Sequence, residues 1–444
     1  MTTDSLGNPL SCAPNAVPAL ERATDKLHAY QADPIADVDA LLEEHPDCVM
    51  ALALRAGALA TALDKAFEPE LRATLEKAEP LLPIANDRER GHLAASRRWS
   101  EGDFSGAVET WGRVAIEHPR DLLATQLAQI GDFALGQSQM LRDRVARVLP
   151  HWGQGMPGRG YVLGMHAFGL EECGQYDRAE AAGREGLSLN PQDGWAAHAV
   201  AHVLEMTGRA EEGAAFLRGT SAGWHPNSMF AYHNWWHLAL FHLERRDTDG
   251  ALRLYDEAVS FGGFVAAQQM VDASALLWRV WLMGADVGDR WTALAADWRT
   301  RIDHGYMAFN DLHAMMAFIG AGDVDAQAAL LSNMERTARA VGGNGMMTRD
   351  VGLPACRGFA AFGRGDYAGC LEALLPIRGI ANRFGGSHAQ RDILSWTLTE
   401  AAIRMGHARM AETMAAERLA AKPESPLNLA WARRATVLTH QLAA

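Results

Sequence analysis

Small and apolar residues recur along this chain with the spacing of paired helices. In HAFGLEECGQYDRAEAAGREGLSLNP, Ala167 is followed after seven residues by Gly174, Tyr176 stands two further on, and Ala179, Leu187 and Pro191 complete the pattern. Two antiparallel helices that pack through small residues, turn at a glycine and stop before a proline need that order, because proline cannot continue a helix. The same grammar returns at Gly208, 34 residues after Gly174, and at Arg246, 38 after Gly208, with the excess in SAGWHPN. It is also legible in EGDFSGAVETWGRVAIEHP, GRGDYAGCLEALLP and MGHARMAETMAAERLAAKP. A period of about 34 residues is that of the tetratricopeptide repeat. The pattern therefore predicts an all-α, tetratricopeptide-like solenoid of helical hairpins, coiled as a right-handed superhelix.

Strands are not expected. No sustained polar and apolar alternation is present, and Ala, Leu, Met, Glu and Arg dominate, as helices prefer. Residues 1–15 read as a loosely ordered N-terminus and residues 16–444 as one solenoid domain. GQGMPGRG (Gly153 to Gly160) is the clearest break, and AVGGNGMMTRDVGLPAC reads as a glycine-rich loop over the groove.

The repeat register places the histidines. With Gly174, Gly208 and Arg246 as turn positions, His198, His202 and Glu205 fall on the first helix of one hairpin, and His233, His237 and Glu244 on the first helix of the next. At about 100° per residue, the first three lie within roughly 60° of arc and the second three within roughly 40°. His242 lies about 180° from His233 and reads as packing or surface. First helices of neighbouring hairpins run side by side in a solenoid, so two rows of imidazole and carboxylate are expected to face one groove.

Composition narrows the chemistry. The formal net charge of -13 and the lack of a Lys/Arg cluster argue against nucleic acid and anionic membrane as partners. The first twenty residues have no basic and apolar signal pattern, and the longest apolar run, FVAAQQMVDASALLWRVWLMG, is interrupted by Asp272 and Arg279. A soluble, cytoplasmic protein is expected. Five cysteines without CxxC spacing read as free, mostly buried thiols.

Imidazoles at i and i+4 on rigid helices can hold a divalent metal such as zinc, here through His198, His202, His233 and His237. They can also act as general acid and base near neutral pH, or hold a polar molecule between aromatic walls such as Trp195, Trp224 and Trp236. HxxxH arises readily by chance among 17 histidines and lacks the HExxH glutamate, and any one of these histidines alone reads as structural. Asn234, next to His233 in sequence, is a further candidate contact. FNDLHAMMAF brings Asn310, Asp311 and His313 to the start of a further helix, where such residues also serve as caps. GGSHAQRDILSW brings His388, Gln390, Arg391 and Asp392 to another helix start after two glycines, a place suited to an anion.

HAVAHVLEM, HNWWHLALFHLE, FNDLHAMMAF, GGSHAQRD and LAAKPESPLNLAWARRA together resemble the tetratricopeptide repeat protein 38 family. The resemblance runs from LLEEHPDCVMALALRAGAL to near the C-terminus. It implies an all-helical fold and no particular activity. It also implies that aspartate can replace His388, which shifts weight to Gln390, Arg391 and Asp392.

The expectation is a His-rich concave pocket for a small polar or anionic molecule, with hydrolase or lyase chemistry by acid-base or metal-assisted steps. His198, His202, Glu205, His233 and His237 would be catalytic, and Asn234, Trp236, Asn310, Asp311, His313, His388, Gln390, Arg391 and Asp392 would contact substrate. The alternative is a non-catalytic scaffold that binds a partner protein or peptide in its groove.

Overall fold

A computed structural model describes residues 2–443. Among them the only strands form a two-residue ladder, Thr2–Thr3 against Pro9–Leu10; the remaining regular structure is helical, in successive TPR-like hairpins. No described helix is long and apolar enough to cross a membrane.

The turn grammar has a backbone cause. Gly174 and Gly208 sit at φ +71° and +74°, the left-handed region that ends a helix. The next amide then folds back on the helix just completed: Gln175 donates to the Leu170 carbonyl at 2.9 Å and Arg209 to that of Leu204 at 2.8 Å. Arg246 makes the same turn at φ +63°, with Asp247 donating to the His242 carbonyl at 2.9 Å. A side chain in that region crowds its own carbonyl at a cost of about 1–2 kcal/mol. Asp247 then opens the following helix by accepting the Gly250 amide at 2.8 Å, and Asp366 does so for Gly369 at 2.8 Å.

The chain divides into two compact units: a first of Met1–Val203 with Gly219–Ala231, and a second of Leu204–Arg218 with Tyr232–Ala444. In the first, the N-terminal residues expected to be loosely ordered are tied to a helix. Asp4 accepts the Asn8 amide at 2.8 Å, the Asn8 side chain donates to the Arg120 carbonyl at 3.2 Å, and Glu89 accepts the Ser11 amide at 2.9 Å. Glu89 also closes a capping box on helix Asp87–Ser100, so one short polar network orders both segments. The core of this unit gathers Val145, Trp152, Val162 and Phe168. Gly169 lets helix Arg159–Glu171 approach helix Ser138–Val148 so closely that a Cβ there would collide with the Leu141 carbonyl and the Arg142 backbone.

In the second unit, helix Ala267–Leu282 is buried along almost its whole length and packs against helices Ala308–Gly320 and His388–Arg404. Its neighbours are hydrogen-bonded to it as well: Trp278 donates to Thr397 at 3.0 Å and Trp298 to Ser274 at 2.9 Å. The stretch expected as a glycine-rich loop is largely helical, running from Gly343–Met347 through a wider turn at Thr348–Gly352 into Leu353–Gly363. Asn344 anchors it, accepting the Ala308 amide at 2.9 Å and donating to the Gly305 carbonyl at 2.7 Å. Those two bonds tie the segment to the start of helix Ala308–Gly320.

Candidate functional site

Helix Ala231–Glu244 sets His233 and His237 one turn apart, with ring centroids 4.9 Å from each other and planes at 89°. Trp236, fully buried, stacks on His233 at 5.3 Å and meets His237 edge-on at 4.9 Å. Each imidazole is turned by a carboxylate. His233 Nδ1 lies 2.6 Å from Asp272 Oδ2, and His237 Nδ1 lies 3.3 Å from Glu205 Oε2. Glu205 in turn faces Lys422 Nζ at 3.7 Å. Burial, then the charges of His233 and Arg279, hold His237 well below the usual imidazole range, so it is neutral at physiological pH.

Arg279 is the electrostatic centre of this unit. It is 1% exposed, donates to the Ala389 carbonyl at 2.7 Å and the Ala275 carbonyl at 3.1 Å, and lies over Trp236 at 5.5 Å and Trp396 at 5.7 Å. Burial lowers its pKa to about 10, against the pull of Asp392 and Glu205, so the cation persists at neutral pH. Its field reaches His313 as well. Burial first, and Arg279 after it, bring His313 down to about 3, while its Nδ1 is 2.8 Å from the Phe309 carbonyl. Asp311, on the same helix, is raised to about 7 by burial, and its Oδ2 has no hydrogen-bond partner among the described residues.

In the first unit, helix Gly194–Met206 carries His198 and His202, 2% and 0% exposed, with ring centroids 4.4 Å apart at 82°. Trp195, Phe168 and Phe230 surround His198 at 4.9, 5.1 and 5.3 Å. His202 Nδ1 is 3.5 Å from Glu171 Oε2. Trp224 serves packing, its indole donating to Thr220 at 3.0 Å.

No family model matches the chain. Among solved structures, the human IFIT1 dimer with m7Gppp-AAAA is similar over 99% of this chain and 96% of that one, at 14% identity and a TM-score of 0.41. The APC/C hetero-tetramer Cut9-Hcn1 is similar over 95% and 96%, at 10% identity and a TM-score of 0.34. Naa15/Naa10 bound to HypK-THB is similar over 93% of this chain and 64% of that one, at 11% identity and a TM-score of 0.25.

The remaining residues singled out in the sequence have the following places. Asn234 is buried on the His233 helix. Asn310 accepts from Gln268 at 3.4 Å. Gln390 is engaged in a capping box with Ser387 at the start of helix His388–Arg404, a structural task. Arg391 donates to the Gly386 carbonyl and lies 3.4 Å from His388 Nδ1. Asp392 is gripped by Arg418 at 2.8 and 3.0 Å and by the Trp396 indole at 2.9 Å. Burial opposes its ionisation, but Arg418, Lys422 and Arg279 together hold it well below the usual carboxylate range. His242 sits at a hairpin turn, 2.7 Å from Asp247 and 2.7 Å from Arg218, away from the His233 row.

Sequence reasoning missed Asp272, Arg279, Arg418 and Lys422. The first two were visible as the two charges inside the longest apolar run, a costly place for charge unless each meets a partner. Glu171 and Glu172 were missed too, since the turn glycine two residues on drew attention instead.

Proposed function

We propose that the second unit binds a small polar or anionic molecule at the His233 row, and that His233 acts on it as a general acid or base. The observation that carries this reading is the 2.6 Å contact between His233 Nδ1 and Asp272, in which the carboxylate is 1% exposed and the imidazole 11%. A buried carboxylate that accepts Nδ1–H fixes the tautomer and stabilises the imidazolium, which general acid-base chemistry by that ring requires. Lys422 and Arg391, both partly exposed, supply positive charge for an anionic group. Hydrolysis or elimination is the reaction class such a dyad serves.

The same reading takes the protein to be cytoplasmic and related to the tetratricopeptide repeat protein 38 family, and excludes nucleic acid on the net charge of -13. A second reading, a scaffold that binds a partner protein, draws on Phe261 and Val265, which stand 75% and 81% exposed in one loop. The test is a thermal-shift screen of the full chain with small carboxylates, phosphates and amino acids, repeated on His233→Ala and His237→Ala. The proposal expects at least one compound to raise the wild-type melting temperature and to lose that effect in both folded variants. Identical responses in all three proteins would overturn it, as would the absence of any response in wild type alongside tight capture of a protein partner that Phe261→Ser abolishes.

A further inference from the structure

We propose that Glu171, Glu172 and His202 form a divalent-metal site in the first unit. It shares no residue with the His233–Asp272 pair that carries the proposed function.

One donor atom from each of the three side chains lies within 4.8 Å of the other two, and the three residues are 0%, 4% and 0% exposed. The fold brings them together simply. Glu171 ends helix Arg159–Glu171 and Glu172 follows it in helical conformation, at φ -61° and ψ -14°, so two carboxylates leave the same helix terminus. His202 comes from helix Gly194–Met206. The end of a helix carries partial negative charge, which adds to that of the two carboxylates and favours a cation there.

The distances have the scale of coordination. His202 Nδ1 and Glu171 Oε2 are 3.5 Å apart, longer than the roughly 2.7–2.9 Å of a charge-assisted hydrogen bond. Two donors that each lie about 2.1 Å from a zinc ion, at a tetrahedral angle, stand roughly 3.4 Å apart. A dication between them would neutralise two carboxylates whose side-by-side burial is costly for a protein.

The surroundings hold the donors still. Phe168 meets the His202 ring edge-on at 5.3 Å and His198 meets it at 4.4 Å, which fixes the imidazole plane. Ser138 donates to Glu172 Oε2 at 3.3 Å, the outer hydrogen bond that commonly orients a ligating carboxylate. One nitrogen and carboxylate oxygens suit zinc or manganese better than magnesium or calcium, which prefer oxygen alone. Three protein donors leave a further coordination position for water.

The experiment is calorimetric titration of the metal-stripped full chain with Zn2+ alone and with Mn2+ alone, with melting temperature read in parallel. The proposal expects about one ion per chain for at least one metal, a raised melting temperature, and affinity at least about tenfold weaker in Glu171→Gln and in Glu172→Gln. His233→Ala should keep the wild-type affinity, so a failure of the small-molecule reading and a failure of this one are separately visible. If either glutamate variant does not fold, cobalt-loaded wild type replaces it: visible bands of Co2+ in a nitrogen and oxygen field support the site, and the free-ion spectrum overturns it. No heat and no thermal shift with either metal, or unchanged affinity in both glutamate variants, would also overturn it.

Discussion

His92 meets Asp121 at 2.8 Å in the first unit, and His233 meets Asp272 at 2.6 Å in the second. Read as motifs these are one thing, an imidazole against a buried aspartate. Their settings differ. Asp121 precedes helix Leu122–Ala134, caps it by accepting the Ala124 amide at 2.9 Å, and is paired to Arg88 at 2.6 Å, with both His92 and Asp121 wholly shielded from solvent. Asp272 lies past the first turn of helix Ala267–Leu282, where no amide is left to cap, and its imidazole retains some exposure. The first carboxylate has its oxygens committed to holding helices together. The second is committed chiefly to orienting a ring. What separates a structural pair from a candidate reactive one is thus the carboxylate's place on its helix and the ring's access to solvent, not the pairing itself.

That contrast can be broken at several points, the largest effect first. Asp121→Ala removes a cap and leaves Arg88 and His92 buried without their carboxylate; it should cost about 3–5 kcal/mol in urea unfolding. Asp272→Asn keeps the shape and one acceptor, and should cost only about 1–2 kcal/mol. Equal costs would erase the distinction.

The pH dependence sharpens it with opposite signs. Burial opposes the ionisation of Asp121, but Arg88 and His92 prevail and hold its carboxyl well below the ordinary value. Its contribution is therefore complete above the unfolded value of about 4 and lost as pH falls below that. Asp311 in the second unit is raised to about 7 by burial. It favours the folded state only while protonated, so that wild type loses stability as pH rises from about 4 through about 7. Asp311→Asn should then match wild type near pH 4 and exceed it by about 1–3 kcal/mol at pH 8, as read by chemical unfolding at each pH. A gap that narrows with rising pH would contradict the assignment.

The smallest effect concerns the turns. Arg246→Gly should stabilise by about 1 kcal/mol, and Gly174→Ala should cost about the same, because both sit in the left-handed region. Differential scanning calorimetry of the two variants checks this, and a destabilised Arg246→Gly would mean that the arginine side chain contributes more than its backbone loses.

The hairpin register was legible because glycine and proline act locally: Gly174, Gly208 and Arg246, chosen as turn positions from spacing, all lie at positive φ. The His233 and His237 face was legible for the same reason, since a helix converts spacing into direction. The partners were not. Asp272 is 39 positions from His233 and Glu205 is 32 from His237, and nothing in a helix period links residues on different helices. Arg279 and Asp272 registered only as charges that rule out a membrane span, although their burial cost pointed to a partner for each. Gln390 looked like a ligand contact because a capping box uses the same residue type at the same place. Asn344 was illegible for the same reason as the histidine partners: its side chain bonds the Ala308 amide and the Gly305 carbonyl, 36 and 39 positions away.

The most direct test of the His233 dyad is isothermal titration of the best compound from the thermal-shift screen into wild type and into Asp272→Asn. The account predicts one-to-one binding by wild type and at least about tenfold weaker binding by the variant, whose melting temperature stays close to wild type. Equal affinity in the two proteins would contradict it, and would leave His233 and Asp272 as one more pair that only holds helices together.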